Sequence, residues 1–517
     1  MKKASIFVLT SLLCLPLFAQ GLRNEGAEIR LENSTYLRIG DPTDGDLTNS
    51  SGTLTNFGNL IVEGDLANDG TIINGSDVVS YGEILVDGSV TGAGTSIAQR
   101  YYWDQTDNGT KASGRWFYIT PSVAGANSSD LLTGPTFATL YDYDESGAAW
   151  NKITTSVALD DLRGYATRVD SDQTIGFQGT GFHQGTLSIA LTSDTDGWNL
   201  IGNPYPVSID ADASVTRNMG LVNEVFWVRT NKQFATHNCL SDVSTNGGSN
   251  VVAPMQACWV DCTVPGNFEF QNSDKVGSQP AFLKTVEVEE DLPFVRIALS
   301  NDDRGDEVVF AVFPEAEEGL DKYDTPKKYG AASAEHCFLP AGGGALTVHA
   351  VPALPVSAVY PMEIIIQEAG EYAFRVTEFR GFPSDARLFL EDRLTGTVTE
   401  IGEEAGYSFA SEQTRTSGRF LLRVETGIAS GEVPLKSKEP RVLLAGDHLL
   451  LTDLPETGSR QLKVVDLYGR ILLHTELEPG PEIRVPLPPV AMDGVYVVEI
   501  SGSGIRMSDK IAIFGTR

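Results

Sequence analysis

Three short acidic loops have spacings that calcium accepts, because each places hard oxygen donors close together. These loops are Asp142-x-Asp144-x-x-Gly147, Asp194-x-Asp196-Gly197, and Asp302-Asp303 with Asp306. None contains the glutamate that closes a complete calcium loop, and short acidic turns are usually solvated. The sequence therefore predicts no cofactor, with calcium as the one candidate ion.

The histidines form no catalytic or zinc-binding motif. They lie at positions 183, 237, 336, 349, 448 and 474, without a His-Glu-x-x-His arrangement. A Gly-x-Ser-x-Gly nucleophile elbow and a phosphate-binding glycine loop are also absent. Glycosidases need only two carboxylates that the fold brings together, and Asp plus Glu total 69. We predict no catalytic residues and no metal ligands, and a glycan-processing enzyme is the alternative.

The cysteines after the first twenty residues are Cys239, Cys258, Cys262 and Cys337. Cys258 and Cys262 lie in one predicted strand, which separates their Cα atoms by about 13 Å, beyond disulfide reach. A bridge from Cys239 to Cys258 or Cys262 is the disulfide that we expect, and the full pairing remains open. Free or bridged structural thiols are favoured over a metal site.

Aromatic residues are dense between positions 101 and 150, where they alternate along predicted strands. Such side chains fill the cores of β-sandwiches, and exposed ones stack on the faces of sugars. Core roles are favoured for most of them. The candidate glycan contacts are Trp103, Trp116, Tyr141 and Trp150.

Length and charge restrict the classes of protein. A chain of 517 residues is too long for one core and predicts three or four domains. Lys and Arg total 38 against 69 Asp and Glu, which gives a net charge of −31. This charge repels phosphate backbones, so we expect no nucleic-acid partner.

The first nineteen residues have the pattern of a signal peptide. Lys2 and Lys3 are followed by an apolar stretch from Ile6 to Phe18, and the small residue Ala19 provides the cleavage position. The apolar stretch is shorter than a membrane span requires. We therefore predict export with cleavage after Ala19.

An internal repeat follows the predicted signal peptide. The segment 58–64 recurs at 82–88, a step of 24 residues, and the segment 52–56 is echoed at 70–74. Short strands with turn residues at a fixed period predict stacked β-rungs. So few rungs need a cap or an adjoining domain to be stable.

Further strands fill the middle of the sequence, which contains no convincing helix. Period-two alternation predicts an aromatic-rich β domain after residue 97 and a β-sandwich from residue 286. Residues 425–440 are rich in Gly, Ser, Lys, Glu and Pro, which is typical of a linker.

Three strand motifs lie in the last eighty residues: Val464-Val465-Asp466-Leu467-Tyr468-Gly469-Arg470, Gly494-Val495-Tyr496-Val497-Val498-Glu499-Ile500, and Lys510-Ile511-Ala512-Ile513-Phe514. Asp466 can bond its own backbone and Gly469 accepts positive φ, which predicts a tight turn. In this order the motifs resemble the type A sorting domain of type IX secretion cargo. The residues that match the family's pattern are Asp466, Gly469, Gly494, Tyr496 and Lys510.

The resemblance implies a cellular location for the protein and a set of partners. It implies export across the inner and outer membranes, recognition by the type IX outer-membrane machinery, and removal of the domain in or near the linker. Residues 98–275, with the run Gly-Trp-Asn-Leu-Ile-Gly-Asn-Pro-Tyr-Pro at 197–206, resemble a region of large cargo proteins of this system. One departure is Lys438-Glu439-Pro440, where many members have Pro-Asn-Pro.

Together these patterns predict an all-β chain in which short N-terminal β-solenoid-like repeats precede tandem antiparallel β-sandwich domains, the last an immunoglobulin-like sorting domain. The predicted boundaries are 1–19 for the signal peptide, 20–97 for the repeats, 98–285 for the aromatic-rich β domain, 286–424 for the β-sandwich, 425–440 for the linker and 441–517 for the sorting domain. We expect an extracellular or cell-surface protein that is adhesive or structural, with a surface glycan or protein as ligand. A glycan-binding or glycan-processing enzyme is the alternative.

Overall fold

The computed structural model describes residues 18–19, 21–40, 45–78, 80–102, 116–132, 138–169, 171–230, 233–276, 293–301, 305–330, 334–341, 344–426, 441–445, 448–452, 454, 458–466, 468–480, 483–487, 494–502 and 505–513. Most of the predicted signal peptide, Trp103, the acidic pair Asp302-Asp303 and most of the predicted linker lie outside the described residues. Strands make up 61% and helices 3% of the structure, which confirms the all-β prediction. The chain divides into two compact units, Met1–Asn231 with Ala235–Thr285, and Lys232–Phe234 with Val286–Arg517.

The strands up to residue 270 are β1 (Phe18–Ala19), β2 (Gly21–Leu31), β3 (Tyr36–Ile39), β4 (Asp46–Asn56), β5 (Asn59–Val62), β6 (Leu66–Asn68), β7 (Thr71–Asn74), β8 (Glu83–Val86), β9 (Val90–Thr91), β10 (Thr95–Tyr102), β11 (Phe117–Ile119), β12 (Ala138–Asp144), β13 (Ala149–Ile153), β14 (Tyr165–Val169), β15 (Gln173–Gly179), β16 (Leu187–Leu191), β17 (Trp198–Gly202), β18 (Ile209–Asp210), β19 (Val225–Arg229), β20 (Phe234–Asn238), β21 (Val243–Thr245), β22 (Val251–Val252), β23 (Ala257–Asp261) and β24 (Gly266–Phe270). The helices are α1 (Ser129–Leu132), α2 (Ala211–Arg217) and a 3-10 turn at Asn272–Asp274.

The repeats stack as parallel rungs. Strands β3, β5 and β8 pair in parallel, and the 24-residue step places Leu60 opposite Ile84 and Val62 opposite Val86. These four side chains are buried. Burial of each side chain contributes about 1.5–3 kcal/mol to the stability of the fold. Since the neighbouring rung provides this burial, the core depends on stacking.

Buried asparagines connect the rungs on their polar side. Asn24 Nδ2 donates to Asn49 Oδ1 at 2.9 Å, and Asn49 Nδ2 donates to Asn68 Oδ1 at 2.8 Å. A second pair links Asn56 to Asn74 at 3.0 Å. Since each amide both donates and accepts, a column of asparagines satisfies its own buried groups.

The rungs are closed by the β domain that follows them. Strand β10 pairs in parallel with β7 and antiparallel with β15, so one sheet continues from the repeats into the next region. The boundary predicted between residues 97 and 98 falls within β10. Ile119 and Phe177 belong to the same buried apolar cluster as the rung residues, and this packing supplies the adjoining domain that so few rungs need.

The strands of the second unit are β25 (Phe294–Ser300), β26 (Gly305–Val312), β27 (Thr325–Pro326), β28 (His336–Ala341), β29 (Gly344–Val351), β30 (Ser357–Ile366), β31 (Gly370–Arg380), β32 (Arg387–Asp392), β33 (Thr397–Ile401), β34 (Tyr407–Ser411), β35 (Thr414–Glu425), β36 (Arg441–Ala445), β37 (His448–Thr452), β38 (Arg460–Asp466), β39 (Ile471–Leu477), β40 (Ile483–Pro486), β41 (Gly494–Gly502) and β42 (Ile505–Ile513). Strands β25 to β35 enclose a buried apolar core that includes Phe310, Met362, Phe374 and Leu422.

The last seven strands enclose a core of their own. Strands β36, β37 and β40 form one layer, and β39, β38, β41 and β42 form the other. Leu449, Val464 and Val498 are buried in the cluster that these strands share. This sandwich is joined to its neighbour through β36, which pairs with β35 at Thr416–Ala445 and Ser417–Leu444.

Candidate functional site

One aspartate holds the turn between β38 and β39. Asp466 Oδ1 accepts hydrogen bonds from the N–H groups of Tyr468 and Arg470, both at 2.9 Å, and Oδ2 accepts one from Arg470 Nε at 2.6 Å. Desolvation raises the pKa of Asp466, but these hydrogen bonds outweigh it and the pKa lies below its usual value. Gly469 has φ of +81°, in the left-handed region that favours glycine.

The other motif residues are divided between the core and the surface of this sandwich. Tyr496 lies two residues after Gly494, the first residue of β41, and is buried in the core with Val498. Lys510 on β42 is exposed, opposite Val497. The structure therefore brings Asp466 and Tyr496 together and leaves Lys510 on the outer surface.

A cluster of aromatic side chains joins two sheets of the first unit. Trp150 stacks on Tyr118 with ring centroids 5.9 Å apart, and it meets Tyr143 at 5.3 Å and Trp259 at 5.7 Å edge to face. Trp259 also contacts Trp198 at 6.3 Å. Such geometries add about 0.5–1.5 kcal/mol per pair beyond burial, so the cluster stabilises the fold.

The candidate glycan contacts occupy different positions around this cluster. Trp150 is 40% exposed and presents part of its ring to solvent. Trp116 and Tyr141 are half-buried and form a separate edge-to-face pair at 5.5 Å. Trp103 lies outside the described residues. Sequence reasoning did not assign Trp198 and Trp259 to this cluster, because alternation along one strand does not identify the strand that packs against it.

A cavity of about 230 Å³ lies next to the aromatic cluster. Tyr143, Glu145, Arg163, Asp194 and Trp198 are among the residues that line it. This volume admits a small polar ligand or several water molecules.

Glu145 at this cavity is fully engaged by a loop. Its carboxylate accepts hydrogen bonds from the backbone N–H groups of Asp194, Thr195, Asp196 and Gly197 at 2.8–3.0 Å. Burial raises the pKa of Glu145, but these amides outweigh that effect and lower it to about 2. A carboxylate with this pKa stays ionised at neutral pH and is a poor general acid.

The calcium candidates have other partners in the structure. Asp144 Oδ1 accepts from Ser146 Oγ at 2.8 Å, and Asp196 Oδ2 accepts from Tyr143 Oη at 3.0 Å. The loop 194–197 directs its amides towards Glu145, which is the arrangement of an anion site. Calcium binding at these loops stays a prediction.

The cysteines at 239, 258, 262 and 337 are free thiols. The disulfide predicted from Cys239 to Cys258 or Cys262 is therefore not formed. Cys258 lies in β23, as expected for a buried strand residue. Cys239 instead lies beside His237 and Asp212, and the ligand atoms of these three residues are within 4.8 Å of one another.

Among the described residues, this trio is the group of potential ligands whose atoms lie close enough together to hold a metal ion. Sequence reasoning assigned no metal ligands. The signal was present in His237-Asn238-Cys239, because residues two apart in an extended segment point to the same side, although Cys239 lies just after the end of β20. Asp212 could not be found this way, since it comes from a different element.

A buried ion pair lies in the second unit. Lys327 Nζ donates to Asp306 Oδ2, which also accepts the backbone N–H of Cys337 at 2.9 Å. Both charged side chains are buried. Burial raises the pKa of Asp306, but the charge of Lys327 and the neighbouring His336 outweigh it and lower the pKa to about 2.

The comparisons with known proteins place the chain in a family. Residues 24–424 match the family model described as "Domain of unknown function (DUF8693)". The chain belongs to this family. None of the curated proteins that were compared matches it. The DUF8693 match ends at residue 424, one residue before the end of β35 at Glu425.

One solved structure similar to this DUF8693 chain is titled "Biofilm associated protein - BSP domain". It shares 11% identity over 80% of this chain and 61% of that one, with a TM-score of 0.14. The match thus spans about three fifths of the length of that structure. With so little overlap between the two folds, the likeness carries no argument about function. No helix among the described residues has the length and hydropathy to cross a membrane.

Proposed function

We propose that this DUF8693 protein is cargo of the type IX secretion system, exported through its C-terminal module to the cell surface or the medium. The observation that carries the proposal is the Asp466 turn, where the carboxylate binds two backbone amides and Gly469 adopts positive φ. Asp466 and Gly469 are two of the five residues by which the module resembles type A sorting domains, the others being Gly494, Tyr496 and Lys510. The exposed Tyr468, Arg470 and Lys510 offer a surface for the export machinery.

Export is tested by expressing the full chain in a bacterium that has a type IX system and in the same strain without it. We expect protein in the medium or on the surface only when both the system and residues 441–517 are present. Equal release of the full chain from the strain without the system would contradict the proposal. The point variants discussed below test the contribution of the Asp466 turn.

An adhesive or structural role suits the exported chain. Stacked rungs and sandwiches give extended β surfaces, and Glu145, one of the carboxylates that line the cavity, is held by backbone amides in a form unsuited to proton donation. We therefore propose a binding or structural protein, with Glu145 held by the loop instead of acting as a general acid. The test is saturable binding to surface glycans or proteins without release of reducing sugar.

Glycan binding is the second candidate, favoured by the exposed ring of Trp150. It is flanked by Tyr118 and Tyr143, which fix its orientation. A fixed aromatic face is what a sugar ring stacks on. Turnover of a polysaccharide would favour the glycan-processing enzyme instead.

A further inference from the structure

We propose that Asp212, His237 and Cys239 bind one Zn²⁺ ion. The three ligand atoms lie within 4.8 Å of one another. Ligands around zinc are about 3–4 Å apart, because the metal bonds are about 2.0–2.3 Å long. Small side-chain rotations therefore bring all three to bonding distance. The site goes beyond the proposed export and adhesion.

The backbone fixes the position of each ligand. His237 lies on β20 opposite Ser244 of β21, and its imidazole is buried. Cys239 follows that strand and is held by its N–H bond to the carbonyl of Glu224 at 2.8 Å. Asp212 lies in the first turn of α2, so the ion would join two separate elements.

Partners outside the trio orient two of the ligands. His237 Nδ1 contacts Ser244 Oγ at 2.9 Å, which leaves Nε2 directed at Asp212 Oδ1, 2.7 Å away. Asn250 Nδ2 donates to Asp212 Oδ2 at 3.1 Å. Histidines that bind metals almost always use their second ring nitrogen in this way.

The donor set selects the metal. Thiolate and imidazole suit zinc, whereas calcium and magnesium take oxygen ligands almost exclusively. Three protein ligands leave a fourth position for water or an external ligand. The Asp212 side chain is 31% exposed and provides the route to solvent.

Two arrangements compete with the metal site. In one, the trio is only a hydrogen-bonded cluster in which Asp212 pairs with His237. In the other, Cys239 is oxidised to a disulfide with Cys258. Neither binds zinc, so zinc affinity distinguishes the proposal from both.

The experiment uses the full chain, stripped of metal by a chelator and titrated with Zn²⁺ against a chromophoric competitor. We expect one ion per chain. Cobalt in place of zinc should give the near-ultraviolet charge-transfer band of a thiolate ligand. Absence of stoichiometric zinc binding, or a Cys239–Cys258 disulfide in protein purified without reductant, would overturn the proposal.

The variants are chosen as matched pairs. Cys239→Ser should lose the charge-transfer band and weaken zinc binding at least about tenfold, while Cys262→Ser, a thiol of the same unit, should keep both. Unchanged affinity in Cys239→Ser would also overturn the site. His237 is buried, so its substitution would disturb the fold, and Asp212→Asn and Ser244→Ala are used instead. Each should weaken zinc binding by about 10–100-fold. Far-ultraviolet circular dichroism of the metal-free proteins checks their folding.

Discussion

Asp466 on β38 is paired directly with Tyr496 on β41, so two residues of the motif that is proposed for sorting occupy one register position on neighbouring strands. The carboxylate shapes the turn while the tyrosine ring fills the core beneath it. We predict that Asp466→Ala loosens this turn and lowers export several-fold, measured as the fraction of protein outside the cell. Glu478→Gln, an exposed acid of the same sandwich, is the control. Equal export of the two variants would show that the turn takes no part in recognition by the export machinery.

Trp150 gives the prediction for glycan binding. Trp150→Ala removes the exposed ring and should weaken binding to a glycan ligand by about 1–2 kcal/mol, that is, roughly tenfold. Isothermal titration or a glycan array provides the measurement. Tyr468→Ala removes an exposed ring from the C-terminal sandwich and should leave binding unchanged. If the Trp150 variant bound the glycan with wild-type affinity, the exposed ring of Trp150 would not be part of the binding site.

The ion pair between Asp306 and Lys327 predicts a loss of stability when one partner is removed. Lys327→Met leaves the carboxylate buried without its countercharge and should cost about 3–5 kcal/mol of unfolding free energy. The double variant Lys327→Met with Asp306→Leu should recover most of it. Denaturant unfolding measures both, with the exposed Lys322→Met as control.

The same pair predicts a pH dependence. The pKa of Asp306 is about 2 in the folded chain, against an ordinary value of 3.8. The carboxylate therefore adds stability that is complete above the ordinary pKa and is lost as the pH falls towards 2. Unfolding free energy measured between pH 5 and about pH 2 should fall more steeply in the native chain than in the double variant. Parallel curves would show that the pair does not titrate in this way.

Asn49 predicts how far the rungs depend on their polar column. Asn49→Ala removes one partner from Asn24 and one from Asn68, both buried. Each orphaned amide costs about 1–3 kcal/mol, so the repeats should unfold at a lower denaturant concentration. Hydrogen exchange in β4 reports the effect locally. Asn33→Ala, on a half-exposed turn, is the control and should leave the exchange rates unchanged.

Local patterns predicted the parts of this fold that depend on neighbouring residues. The 24-residue step gave the register of β5 on β8, and Asp466 with Gly469 gave the turn between β38 and β39. Tyr496, Val498 and Ile500 alternate along β41 and share its buried face. These features follow from side-chain period and turn chemistry, which a sequence displays directly.

Contacts between distant elements could not be predicted in this way. Asp212 is 25 positions before His237, and Lys327 is 21 after Asp306. The sequence pattern of a strand does not show which element packs against it. The sequence therefore pointed to His237 and Cys239, but not to Asp212 or to the buried ion pair. The pairing of β36 with β35 was missed for a related reason, because backbone hydrogen bonds join strands of any composition.

The junction between the two sandwiches of the second unit has a consequence for processing in the linker. Val495 packs against buried Phe338 and Ile365, and β36 covers β35 at Thr416 and Ser417. Cutting away the last seven strands uncovers an apolar patch and a short row of unpaired amides and carbonyls together. An open sheet edge of this kind accepts a strand from another molecule. Under the predicted cleavage in the linker, the chain left behind would therefore present this edge of β35 for pairing with another strand.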